Sequence, residues 1–130
     1  MTQELNDKVI VVTGGGSGIG RGTALAMAAE GARLVIADLV EDSAAAVAAD
    51  IVASGGEAIA LCCDVTQSAE VEQMFDAVIA HYGRVDCAFN NAGTEGRFAR
   101  TVEYSDADWA QTLAVNLNGV FYCLRRELQE

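Results

Sequence analysis

From Val9 onward the chain alternates short apolar runs rich in Val and Ile with longer Ala- and Glu-rich stretches whose apolar positions recur at helical spacing. That alternation predicts βαβ units around a parallel sheet. The first run, Val9 to Thr13, has no polar alternate, as expected of a central strand covered on both faces. A glycine-rich turn follows, then a helix from about Gly18 to Glu30 closed by Gly31. The pattern continues with a strand from Arg33 to Asp38, a helix from Glu41 to Ser54 stopped by Gly55-Gly56, and a strand from Ala58 to Cys63. A third helix starts near Ser68, with Glu70 and Glu72 in its first turn where the helix dipole favours negative charge, and ends at Gly83. The fourth strand spans Val85 to Asn90, and Asn91 to Tyr104 is a loop. Ser105 and Asp108 then resemble a capping box. They open a helix whose apolar positions, Trp109, Leu113, Leu117, Val120, Phe121, Leu124 and Leu128, form a buried stripe that runs to Glu130. No terminal glycine closes that helix and no strand succeeds it, so the chain is expected to end inside its architecture.

Composition narrows the picture. The 130 residues are 52% hydrophobic with a mean hydropathy of +0.23, enough for the core of one domain or part of one, spanning residues 1–130. There is no proline, repeat or low-complexity linker to mark a boundary. Lys and Arg number 8 against 19 Asp and Glu, a net charge of -11, which repels nucleic acid and anionic membrane alike. Cys62, Cys63, Cys87 and Cys123 lack C-x-x-C spacing and are expected to be reduced packing residues. The single imidazole, His81, falls on a surface helix, so no metal site is expected. The N-terminus has no apolar signal core and no run approaches the ~18 apolar residues of a membrane span, which makes the cytoplasm the expected address.

The chemistry sits at the strand ends. Thr13-Gly14-Gly15-Gly16-Ser17-Gly18-Ile19-Gly20 joins the first strand to the first helix. Amides at a helix N-terminus can hold a pyrophosphate only where side chains do not keep it away, and Gly14, Gly18 and Gly20 are read as giving that approach. The spacing departs from G-x-G-x-x-G and lacks the Gly-Lys-Ser/Thr ending of a P-loop, which argues against ATPase chemistry. The second strand ends at Asp38, where a carboxylate accepts hydrogen bonds from the adenosine 2' and 3' hydroxyls and repels a 2'-phosphate. This favours NAD over NADP.

These residues resemble the short-chain dehydrogenases/reductases, which open with Thr-Gly-x-x-x-Gly-x-Gly and carry Asn-Asn-Ala-Gly after the fourth strand. Both motifs are here, at Thr13 to Gly20 and Asn90 to Gly93, and the resemblance covers essentially the whole chain. It implies a doubly wound α/β sheet of Rossmann type with four strands ordered 3-2-1-4 and helices on both faces. It implies too that Asp64 and Val65 contact the adenine ring and that Asn90 to Gly93 line the cofactor and, with Thr13, tie strands one and four together. The expected cofactor-binding set is Gly14, Ser17, Gly18, Ile19, Gly20, Asp38, Leu39, Asp64, Val65, Asn90, Ala92 and Gly93.

Asn116, between Leu113 and Val120, places a carboxamide on the expected buried stripe, where it needs a polar partner. In the resemblance, the asparagine of Asn-x-x-Gly-Val holds a water of the proton relay. A structural asparagine bonded to nearby backbone is the alternative. The serine and Tyr-x-x-x-Lys that carry proton transfer in the family are absent from these 130 residues. Tyr122 and Arg126 form a Tyr-x-x-x-Arg, but they lie within the Asn116 helix, and arginine does not give up its proton as lysine can. Tyr104 offers nothing better.

The expected function is therefore the NAD-binding portion of an oxidoreductase that moves hydride between a small-molecule alcohol or ketone and nicotinamide, with the chain inactive by itself. The alternatives are a non-catalytic nucleotide-binding or protein-interaction module and a half-enzyme completed by a second polypeptide. Strand four is expected to be an open edge and the last helix a face for homo-oligomer packing.

Overall fold

The computed structural model describes residues 3–130. Four parallel strands, β1 (Val9–Thr13), β2 (Arg33–Asp38), β3 (Glu57–Cys62) and β4 (Cys87–Asn90), form one sheet in the order β3-β2-β1-β4. The helices are α1 (Gly18–Ala29), α2 (Glu41–Ala53), α3 (Ser68–Tyr82), α4 (Asp106–Leu113) and α5 (Gly119–Glu127), with a 3-10 turn at Thr101–Glu103. The fold is the expected doubly wound α/β sheet. Gly31, Gly55 and Gly83 stop the first three helices with φ of 87°, 89° and 79°, the left-handed conformation glycine adopts at least cost.

The unbroken apolar run of β1 is explained by its two faces. Val9 and Val11 pack with Val35, Val71, Phe75, Val78 and Cys123 on the side of α3 and α5, whereas Ile10 and Val12 pack with Leu34, Ile36, Ala24, Val47 and Ile51 on the side of α1 and α2. Consecutive strand residues point to opposite faces, so a strand buried on both carries no polar position.

β4 starts at Cys87 rather than at the expected Val85. Asp86 occupies the missing rung. Its amide donates to the Val9 carbonyl at 2.9 Å, while its carboxylate Oδ2 accepts from the Val9 amide at 2.8 Å in place of a backbone carbonyl. The Val9 amide, helped by Arg84, holds the Asp86 carboxyl below the usual carboxylate range.

Two further expectations are corrected. Cys63 and Cys123 are packing residues, but Cys62 and Cys87 are exposed because both lie on the outer strands of the sheet, covered less fully than the centre. The last helix is not continuous to Glu130: a π-helical segment, Ala114–Asn118, separates α4 from α5, which ends at Glu127. The expected stripe does not face the core on either side of that segment. Trp109, Leu117, Phe121, Leu124 and Leu128 are exposed, and α5 buries Gly119 and Cys123 instead.

Gly119 lets that segment close. A β-carbon there would lie 2.7 Å from Val65 Cγ2, 3.0 Å from Val65 Cβ and 3.3 Å from its carbonyl oxygen. Alanine normally stabilises a helix interior over glycine by about 1 kcal/mol, but overpacking costs about 1–3 kcal/mol. Gly119→Ala is expected to lower the unfolding free energy by about 1 kcal/mol in urea titrations. Adding Val65→Ala should cost less than the two single losses summed.

Candidate functional site

Parallel pairing brings the ends of the strands level. Thr13 lies opposite Ala37 on one side and Asn90 on the other, and Asp38 lies opposite Cys62. The glycine turn, Asp38, Asp64 and Asn91 to Gly93 thus gather at one edge, where the chain leaves β1 towards one face of the sheet and β4 is reached from the other. Such a switch point at the carboxyl ends is where open α/β sheets bind ligands. A cleft of about 900 Å³ lies there.

Gly14 and Gly18 have φ of 61° and 54° and turn the chain into α1. A β-carbon on Gly18 would meet nothing within 4 Å, so the glycine leaves the cleft floor open to an approaching group. Gly20 sits within the turn itself. It does not line the cleft, and a β-carbon there would collide with the Gly14 carbonyl oxygen and come within 2.6 Å of Asn91 Nδ2. Gly20 permits the turn to fold on itself.

The N-terminus of α1 carries the strongest electrostatic hint. Ser17 is extended and makes no side-chain cap, and the first turn contains no acidic residue. By contrast α2 begins with Glu41 and Asp42, α3 has Glu70, and α4 has Asp106 and Asp108 with the expected capping box from Ser105. In a chain of net charge -11 the first turn of α1 is free of carboxylates, and its dipole and amides suit an anion.

Thr13, 2% exposed, is the sole buried polar residue among those described. Its hydroxyl accepts from the Asn91 amide at 3.0 Å and the Ala92 amide at 3.1 Å. Asn91 Nδ2 donates back to the carbonyls of Thr13 and Gly14, each at 3.2 Å. The exits of β1 and β4 are strapped together by side chains beyond the last rung of the ladder.

Asp38 uses one oxygen for the Gly16 amide at 2.9 Å and the other for the Val40 amide at 3.0 Å, which pins the carboxylate at the rim. Each oxygen keeps acceptor capacity for a ligand. Leu39 and Ile19, 66% and 74% exposed, stand beside it as bare apolar surface. Asp64 accepts from the Thr66 amide at 3.0 Å and hydroxyl at 2.7 Å, Val65 is buried, and both line the cleft with Ser17, Ala92 and Gly93. Cys63 lines it too, but burial, with Glu70 and Asp64 nearby, pushes its thiol up to about 12, so it is no nucleophile at neutral pH.

Two expected members stand elsewhere. Asn90 turns its carboxamide away from the cleft, donating from Nδ2 to Glu127 Oε2 at 3.0 Å. Asn116, within the π segment, is exposed rather than buried. Its Oδ1 accepts from the Thr94 amide and its Nδ2 donates to the Thr94 carbonyl, both at 2.8 Å. The polar partner is thus the backbone of the cleft wall.

That wall, Thr94 to Arg97, is further braced by residues with no mark in the sequence. Tyr104 Oη accepts from the Arg97 amide at 2.9 Å and lies 3.2 Å from Thr112 Oγ1, and Arg97 pairs with Asp108 at 3.2 Å. Only the Ser105–Asp108 cap was visible as a signal nearby. Arg126 is remote from the cleft, bonded to Glu72 at 2.9 Å and to Asp76 and Glu130 at 2.8 Å, and Tyr122 packs on the core. Among the described residues no His, Cys, Asp and Glu cluster could hold a metal, and no helix is long and apolar enough to cross a membrane.

The sequence model of the short chain dehydrogenase family matches residues 8–130. Levodione reductase of Leifsonia aquatica is 38% identical over 130 residues, 98% of this chain and 49% of the relative. D-threitol dehydrogenase of Mycolicibacterium smegmatis is 44% identical over 117 residues, 90% of this chain and 45% of the relative. An NAD+-bound xylitol dehydrogenase structure superposes with a TM-score of 0.93 at 36% identity, covering 97% of this chain and 48% of that one. The chain spans about half the length of the curated relatives it matches.

Thr13→Val keeps the shape of the side chain but leaves the Asn91 and Ala92 amides without an acceptor. An unsatisfied buried group costs about 1–3 kcal/mol, so the variant should lose about 2 kcal/mol or more in denaturant unfolding. Thr13→Ser, which keeps the hydroxyl and deletes one methyl, should lose about 1 kcal/mol. A loss in Thr13→Ser with little or none in Thr13→Val would show instead that the tie is methyl packing.

Proposed function

The chain belongs to the short-chain dehydrogenase/reductase family, and on that premise we propose that its cleft is the cofactor half-site of a nicotinamide-dependent oxidoreductase acting on a small-molecule alcohol or ketone. The observation that carries this is the pairing, across one cleft, of an acid-free helix N-terminus with the pinned Asp38 carboxylate. An anion is favoured at the first and hydroxyls at the second, which suits a pyrophosphate joined to an unphosphorylated ribose.

Gly14, Ser17, Gly18 and Ile19 would hold the pyrophosphate, with Gly20 keeping their turn closed. Asp38 and Leu39 would take the adenosine ribose, with Asp64 and Val65 at the adenine. Ala92 and Gly93 would border the remainder of the dinucleotide, and Asn90 would act from behind them. Asp38 selects NAD over NADP, because a 2'-phosphate would set a second anion against its carboxylate. When bound, the cofactor supplies hydride exchange with a carbon centre.

These residues orient and do not transfer the proton. The 130 residues contain no Tyr-x-x-x-Lys, since Lys8 is the only lysine. Asn116 holds Thr94 at the wall and keeps a second N–H and a second lone pair with which to position a water. Without a positioned acid/base, turnover by these residues alone should fall short by roughly 10²–10⁴. The exposed face of Trp109, Leu117, Phe121 and Leu124 supports homo-oligomer packing in the whole protein. The four free thiols suit a reducing compartment, the cytoplasm.

Titration with NADH and with NADPH, followed by nicotinamide fluorescence and calorimetry, tests the reading. Saturable NADH binding, weaker for NADPH by about tenfold or more, or about 1.4 kcal/mol, is expected. Asp38→Ala should erase the preference. A folded chain that binds neither would overturn the assignment.

A further inference from the structure

Asn90 ends β4 opposite Thr13, and its carboxamide meets Glu127 near the end of α5. One hydrogen bond joins the two groups, from Asn90 Nδ2 to Glu127 Oε2. The other oxygen of each, Asn90 Oδ1 and Glu127 Oε1, is buried and has no partner among the described residues. With Glu127 ionised both are acceptors only, and no donor is at hand. A neutral carboxyl carries one O–H. Donated from Oε1 to Asn90 Oδ1, it would close a two-point acid–amide pair and satisfy both orphaned atoms at once.

The surroundings favour the neutral acid. On α3 the nearest charged groups, Glu72 and Asp76, are taken up by Arg126, as is Glu130 beyond α5. On α5 itself the Cys123 thiol is close enough to feel the Glu127 charge. No cation pairs with Glu127 among the described residues. Burial raises its pKa, and the bond from Asn90 lowers it less.

We propose that Glu127 is a positioning residue that works as the neutral acid, clamping Asn90 and with it the end of β4, whose next residues Asn91 and Ala92 form the cleft wall. Ionisation releases the proton to solvent and leaves a single hydrogen bond. The consequence for cofactor affinity rests on the function proposed above; the clamp itself does not. Because the folded state holds the proton more tightly than the unfolded chain, the stabilisation is complete below the ordinary glutamate range and is lost as pH rises through the raised value.

Thermal melts of the full chain without nucleotide, from about pH 4 to pH 8, compare the natural sequence with Glu127→Gln. Glutamine is always neutral and can make both bonds. The natural chain should match the variant at the acid end and fall below it by on the order of 5 °C as pH rises. Carboxyl 13C titration of Glu127 in the natural chain should show a pKa above the ordinary glutamate range, and it decides the matter if the variant does not fold. A normal titration, or a melting difference that does not change with pH, overturns the proposal and assigns the two oxygens to a buried water. NADH affinity that weakens with the same titration in the natural chain but not in Glu127→Gln ties the clamp to the cleft. Failure to bind NADH at any pH would overturn the cofactor reading while the melts still judge the clamp.

Discussion

β1 is hydrogen-bonded on both sides, and the parallel register with β2 and β4 holds the carboxyl ends of its neighbours level with its own. Every element of the cleft depends on that constraint. Because the strands run the same way, their exits share one edge, and because helices cover both faces, the chain leaves β1 and β4 on opposite sides of the sheet. The opening between these paths is then strapped by Thr13 and Asn91 so that it has a defined width. A threonine serves where valine would have packed as well, because the two amides beyond the ladder take its hydroxyl as their acceptor.

Charge is distributed with the same economy. Carboxylates sit at the starts of α2, α3 and α4, where they complement helix dipoles, and Asp86 replaces a rung of the sheet. The start of α1 is left without one. Asp38 is the carboxylate nearest to that end, and two backbone amides hold it at the rim. A strongly acidic protein thereby keeps one local environment suited to an anion.

The region after β4 works by side-chain bonds to backbone. Asn116, in the π segment, grips both polar groups of the Thr94 backbone, and Tyr104 holds the Arg97 amide. Trp109, Leu117, Phe121, Leu124 and Leu128 face outward along these helices, whereas Cys123 faces the core. On the opposite side of β4, a hydrogen bond from Asn90 to Glu127 joins that strand's end to α5.

The sequence by itself determined what is periodic or local. The apolar run Val9 to Thr13, the glycine stops, the Ser105 cap and the Asp38 position follow from side-chain spacing and backbone preference, and these need no knowledge of neighbours. Family membership was legible for the same reason, since both motifs are contiguous. Tertiary structure alone decided which asparagine does what. Asn90 and Asn91 are adjacent in the chain, yet the alternation of a strand sends one to Glu127 and the other to Thr13 and Gly14. It also decided how tightly Gly20 is packed against Asn91 and that Asn116 bonds the backbone of Thr94 instead of entering the core, because both contacts join atoms far apart in sequence and carry no compositional trace.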